Sequence, residues 1–272
     1  MIQGCISKYI SKNGVIIESA SVSVTQNSRV FYDVLRIENS IPLFFNDHVE
    51  RFFNSFTIAQ IEKPFSEDYF QKNLLQFIET EKIVNGNVRC AFFVSETPEF
   101  MIYQVAHAYP TQKMYAEGVA VGILHAEREN PNIKQELHVR TIANTCIAET
   151  GVYDVLFVDK DGNVTEGSRT NLFCIKDSTV YTALATDVLC GITRKKVIEL
   201  LSKLSIPFVE RKISLEELYN FDALFVTGTS PKILPVSTIE SRKCTMQNEL
   251  LVRLMQAYDT EIFDYIENQK KN

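Results

Sequence analysis

Between Val164 and Arg194 three chemically useful features fall close together. Glu166 stands as a lone acid just beyond a turn. Asn171 to Ile175 reads as an apolar strand leading away from it. Gly191-Ile192-Thr193 then opens a segment that reads as a helix, Arg194 to Leu204. The first turn of a helix has backbone N–H groups without intrahelical partners and carries the positive end of the helix dipole, so it suits a phosphate. Thr193 is a good N-cap residue and adds a hydroxyl. An acid and an anion site in one short stretch point to a ligand with a phosphate and a basic or protonated nitrogen.

The pattern Glu166-x4-Asn171-Leu172-Phe173, then Thr182, then Leu189-x-Gly191-Ile192-x-Arg194 resembles the signature of the class IV pyridoxal-phosphate (PLP) enzymes. That family holds branched-chain aminotransferases, D-amino acid aminotransferases and aminodeoxychorismate lyases. The resemblance covers roughly residues 25 to 240 and is strongest from 164 to 230. It implies the two-domain α/β (α+β) architecture of fold-type IV: a small N-terminal α+β domain and a larger C-terminal α/β domain, with the cofactor between them. It also implies a homodimer, because family active sites borrow residues from the partner subunit.

The resemblance assigns roles residue by residue. PLP chemistry needs a lysine amine that forms an imine (a Schiff base) with the cofactor aldehyde. Once displaced, the same amine moves a proton at the substrate α-carbon. Composition does not choose among the lysines. In D-amino acid aminotransferases the lysine precedes the acid by a fixed distance, and 32 residues ahead of Glu166 stands Lys134. Its setting, Asn132-Ile133-Lys134, resembles the family's short strand before that lysine. Glu166 resembles the acid that pairs with the pyridine nitrogen, where a carboxylate keeps the ring protonated and able to accept electrons. Ile192 and Thr193 resemble one wall of the phosphate cradle. Gly228 and Thr229, in Thr227-Gly228-Thr229-Ser230, resemble another, where small residues let backbone N–H groups approach an anion. Arg51, in His48-x-x-Arg51, resembles the family's helix arginine, whose fork suits a phosphate. Tyr32 aligns with a tyrosine that reaches cofactor and substrate. Arg89 resembles an arginine that binds a substrate carboxylate.

The sequence departs from the family pattern in places. Gln135-Glu136-Leu137-His138 follows the lysine where the family has an asparagine three residues on. No tyrosine stands nearby to meet the cofactor's phenolic oxygen, so His138 or a water is expected there. Asn27-Ser28-Arg29-Val30 replaces a glycine-aspartate-glycine, which alters the substrate entrance. Asp33 and Val34 stand where the lyases carry a product-protonating threonine, which favours transamination. The expected function is transfer of an amino group between an amino acid of branched-chain or D-amino acid type and a 2-oxo acid. The alternatives are an aminodeoxychorismate lyase that releases pyruvate and 4-aminobenzoate, and a non-catalytic homologue.

The elements that must position these residues can be read from periodicity. Val15 to Phe45 reads as strands and turns, with Ala20–Val24 alternating and Val30–Ile37 a longer strand. Asn46 or Asp47 is expected to cap a helix from His48 to about Ile61. Ser66–Ile83 reads as an amphipathic helix burying Phe70, Leu74, Leu75 and Ile78. Strands follow over Val88–Val94 and Phe100–Tyr109. The domains are expected at 1–112 and 117–272, with 113–116 as linker. Beyond it come a strand at Gly118–His125, an irregular polar stretch at Ala126–Gln135 and a helix at Val139–Thr150. A hairpin turns at Asp161-Gly162. The final helix is expected over about Thr245–Ile266.

Composition bounds the rest. The 272 residues are 45% hydrophobic and 23% charged, as in globular proteins. No apolar run reaches the roughly 18 residues a membrane helix needs, and the N-terminus lacks a signal-peptide layout. A net charge of −6 argues against general nucleic-acid binding. The six cysteines form no CxxC pair and read as free thiols in a reducing, cytoplasmic setting. The four histidines are scattered, so no metal is expected.

Overall fold

The computed structural model describes residues 2, 4–22 and 29–271. The chain forms two compact units that are discontinuous in sequence. One holds the chain up to Ala108 together with Ile133–Glu136 and the stretch from Ile262 onward. The other holds Tyr109–Asn132 and Leu137–Glu261. A single cut at 113–116 therefore does not describe the division.

The first unit is built on β1 (Tyr9–Lys12), β2 (Val15–Glu18), β3 (Arg29–Glu38), β4 (Ile41–Pro42), α1 (Phe45–Ile58), α2 (Glu67–Thr80), β5 (Gly86–Val94) and β6 (Glu99–Val105). Its six strands form an antiparallel sheet in the order β2-β1-β6-β5-β3-β4. Strand alternation sorts β3 into two faces. Phe31, Leu35 and Ile37 join a phenylalanine-rich core with the helices, while Val30 and Tyr32 join a cluster with Ala91 and Tyr103. On α1, Val49, Phe52, Phe53 and Phe56 are buried at the spacing of one helix face. The α1 N-cap is Phe44, in a left-handed conformation, so Asn46 and Asp47 fall inside the first turn and do not cap. On α2, Ser66 caps by accepting from Tyr69 N at 3.2 Å. Leu75 is 45% exposed, and Phe77 takes the place expected for it in the core. Asn13 and Gly14, both at positive φ, turn β1 into β2. Ser19–Ser21 form one 3-10 turn where a strand was expected. Ser23, Val24, Asn27 and Ser28 lie outside the described residues.

Four residues from much later in the chain, Ile133–Glu136, pair along this sheet. Tyr32 N donates to Lys134 O at 3.0 Å and Glu136 N to Val30 O at 3.2 Å. Phe31 and Gln135 form the antiparallel bridge between them. Ile133 is buried in the phenylalanine core. Backbone pairing and one apolar anchor thus make Ile133–Glu136 part of the first unit.

The second unit contains α3 (Gln112–Glu117), β7 (Val119–His125), α4 (His138–Thr150), β8 (Asp154–Val158), β9 (Val164–Gly167), β10 (Asn171–Lys176), β11 (Thr179–Thr182), α5 (Ile192–Lys203), β12 (Phe208–Glu210), α6 (Leu215–Leu218), β13 (Ala223–Gly228), β14 (Lys232–Ile239), β15 (Arg242–Lys243) and most of α7 (Glu249–Lys271). Residues 113–116 are helical in α3, whose cap Thr111 accepts from Met114 N. Strands run β10-β13-β14-β7-β8-β9, and β9 pairs back to β10, which closes a six-stranded ring. Val121, Leu156, Leu172, Val226 and Leu234 from five of these strands meet in one buried cluster. The last helix begins later and runs further than the sequence suggested, because Leu251, Leu254, Tyr258, Ile262 and Ile266 are all buried at helical spacing.

Candidate active site

Glu166 is 3% exposed, and three groups of the second unit meet it. Leu189 N donates to its Oε2 at 3.2 Å. The Asn171 side-chain amide donates to the same oxygen at 3.4 Å and to Leu189 O at 2.8 Å. Arg128 Nη1 lies 3.7 Å from its other oxygen, both side chains being buried. Asn171 therefore ties the acid to the turn that opens α5. Gly191 is required at that turn, since a Cβ there would run into Asn171 Oδ1.

The ladder continues this row: Asn171 pairs with Glu166 on one side and with Thr227 on the other. The Thr227 hydroxyl is buried and has no hydrogen-bond partner among the described residues. Gly228-Thr229-Ser230, half-buried, follow directly. Gly191 is the N-cap of α5 and offers no side-chain cap, so the N–H groups of the first turn are available to an anion. Thr193 is a correction to the sequence reading. It is not the N-cap but lies in the first turn, with the Tyr258 hydroxyl 3.4 Å from its own. Asp154 shapes the turn between β9 and β10. It is fully buried and accepts from Ser168 Oγ at 2.5 Å, Thr170 Oγ1 at 2.7 Å and Arg169 N at 3.2 Å.

In the first unit, Tyr32, Arg89 and Lys134 meet on one aromatic ring. The Arg89 guanidinium lies 3.9 Å from the Tyr32 ring centroid and Lys134 Nζ 5.2 Å from it. The backbone N–H of Lys134 donates to Ser55 Oγ on α1. Arg51 is placed differently. It donates from Nε to Asp33 Oδ2 at 2.8 Å and from Nη2 to Asp33 Oδ1 at 2.6 Å. His48 Nδ1 lies 2.8 Å from the same carboxylate. Burial alone would raise the Asp33 carboxyl, but Arg51 and His48 reverse this and hold it well below the usual carboxylate range. Burial lowers the His48 imidazole, with Asp33 working against it. His138 is exposed at the first residue of α4.

Arg128, Asp154 and Tyr258 were not anticipated. Arg128 sits in an aperiodic polar stretch and Tyr258 on a helix where it reads as core, so neither gave a signal. Asp154 did give one, as a lone acid heading the apolar run Val155–Val158.

The amino-transferase class IV family model matches residues 30–239. The D-alanine aminotransferase of Bacillus licheniformis is 26% identical over 253 residues, covering 85% of this chain and 88% of that one. The branched-chain-amino-acid aminotransferase of Pseudomonas aeruginosa is 26% identical over 214 residues, covering 72% and 70%. The crystal structure of the Escherichia coli branched-chain amino acid aminotransferase superposes with a TM-score of 0.86 over 94% of this chain and 95% of that one, at 21% identity. The T.th. branched-chain amino acid aminotransferase with pyridoxamine 5'-phosphate gives 0.84 over 95% of each chain, also at 21% identity. The shared fold is fold-type IV, and the family's cofactor is pyridoxal 5'-phosphate. With most of its length matched by that model, the chain belongs to the class IV aminotransferases.

Proposed function

We propose that this enzyme moves an amino group between an amino acid of branched-chain or D-amino acid type and a 2-oxo acid, using pyridoxal 5'-phosphate. The observation that carries the proposal is the Asn171 clamp. It makes the buried acid and the uncapped start of α5 one rigid piece, as a ligand with a ring nitrogen at one end and a phosphate at the other requires. The residues fit the cofactor: a buried hydroxyl, Thr227, awaits a partner in the same row.

When bound, the cofactor supplies an electron sink conjugated to the substrate α-carbon. Lys134 Nζ would be the amine that holds its aldehyde carbon and the group that carries the proton at the substrate α-carbon. Glu166 would be the acceptor facing the ring nitrogen and would favour its protonated form. Ile192, Thr193, Gly228 and Thr229 would offer backbone and hydroxyl donors to the phosphate, and Arg51, whose Nε and Nη2 are bound to Asp33, would add only its remaining N–H groups. Tyr32 and Arg89 orient the substrate, with Arg89 taking a carboxylate. His138 or a water meets the phenolic oxygen. The family resemblance also supports a homodimer of two domains working in the cytoplasm.

Borohydride reduction of the enzyme with cofactor, followed by peptide mapping, tests the lysine. A pyridoxyl label on Lys134 is expected, and a label on another lysine refutes the assignment. A half-reaction screen with L- and D-amino acids and aminodeoxychorismate tests the reaction. Pyruvate release without a 2-oxo acid acceptor would establish the lyase instead.

A further inference from the structure

The short segment that carries Lys134 also carries a second charged side chain, Glu136, and both side chains meet the same pair of residues, Tyr32 and Arg89. Ile133 points into the phenylalanine core, and Gln135 accepts from Arg29, which itself stacks on Phe31 of that core. Lys134 and Glu136 instead reach the side of the sheet that presents Tyr32 and Arg89. Lys134 Nζ lies over the Tyr32 ring. The Glu136 carboxylate forms an ion pair with Arg89 Nη2. The backbone fixes the placement, because Glu136 N is tied to Val30 O.

We propose that Glu136 is a built-in carboxylate that occupies Arg89, so that a substrate carboxylate must displace it to bind. The inference rests on the reading of Arg89 as the carboxylate-binding residue and names what sets its affinity. The pair is unequal: the Arg89 side chain is 17% exposed and the Glu136 side chain 58%. Arg89 is held in place by the Tyr32 ring, while Glu136 reaches it from solvent. Such a half-solvated pair is weak, so an incoming carboxylate with a two-pronged fit to the guanidinium can replace it. Tyr103, directly across the strand pair from Arg89, feels both charges. Its phenol is held up at about 12, chiefly by burial, with Arg89 acting to lower it and Glu136 to raise it. Charge at this site is thus balanced when no substrate is present. A substrate carboxylate thus meets a guanidinium that is already neutralised, and it binds more weakly than it would to an unoccupied Arg89.

The test compares the PLP-loaded wild type with Glu136→Gln, Arg89→Gln and the double variant, using glutarate as the probe. Binding is read by calorimetry, and KM and kcat are read for the best amino donor of the half-reaction screen. Glu136→Gln is expected to bind glutarate about three- to fivefold tighter, with the gain in turnover falling on KM and not kcat. The gain should vanish in the Arg89→Gln background. A merely structural glutamate would not give tighter binding when its charge is removed. If Glu136→Gln leaves affinity unchanged or weaker while Arg89→Gln weakens it, the competition is refuted and the Arg89 reading stands. If Arg89→Gln leaves glutarate binding unchanged, the Arg89 reading fails and the proposal fails with it.

Discussion

Asp33→Asn is the substitution that most directly probes how Arg51 is held. The Asp33 side chain is fully buried and Arg51 is only 11% exposed. Two charge-assisted bonds from Arg51 and one contact with His48 converge on the carboxylate. Asparagine has nearly the same shape but no charge and only one accepting oxygen. It leaves a guanidinium largely out of water without its counter-charge, which costs about 3–5 kcal/mol. At roughly 2–4 °C per kcal/mol for a chain of this length, thermal unfolding should come roughly 6–20 °C earlier. The pH dependence carries a second signature. A carboxyl held below its ordinary value contributes stability that is complete above its unfolded pKa of about 3.9 and is lost as pH falls towards the folded value. His48 is also held below its ordinary value. Its contribution therefore has the same sign and begins to fall away on acidification below about pH 6.5. Thermal melts of the cofactor-free protein from pH 7 to pH 3 measure both. Wild type should lose stability steeply below about pH 4, and Asp33→Asn should flatten that limb. A variant that melts within about 2 °C of wild type at pH 7, where a full loss is expected, would refute the buried ion pair.

Three further changes probe the other unit. Gly191→Ala drives a Cβ into Asn171 Oδ1; overpacking of this kind costs about 1–3 kcal/mol, so lower melting and weaker PLP retention are expected together. An unchanged PLP affinity would separate Asn171 from the cofactor site. Asp154→Ala strips the acceptor from Ser168, Thr170 and Arg169 N. It should destabilise by about 1–3 kcal/mol per buried donor left unpaired, as measured by urea unfolding. Thr227→Val replaces a buried hydroxyl without a partner among the described residues by a methyl of similar size. The cofactor-free protein should be as stable or more so, while PLP dissociates faster in a dialysis assay. A destabilised cofactor-free variant would mean the hydroxyl is already satisfied in the absence of ligand.

The family and most of the fold were legible in the residues alone. The spacing Glu166-x4-Asn171 and the Gly191-Ile192-Thr193 turn fix a strand, a second strand and a helix start, because each is a local preference of few residues. A helix from about His48 was likewise expected, while its buried face, Val49, Phe52, Phe53 and Phe56, emerged from the structure. Other features required the tertiary structure, because they join residues far apart in the chain. No periodicity could show that Ile133–Glu136 would pair with Val30–Tyr32, since four residues carry no period. Nor could it show that Arg51 would be taken by Asp33, eighteen positions away on a neighbouring strand. The link from Asn171 to Glu166 and Leu189 was equally hidden, although its residues stood within the motif. Local sequence sets which conformations a segment prefers; only the closing of the sheets decides which distant donor meets which acceptor, and there the chemistry of the site is made.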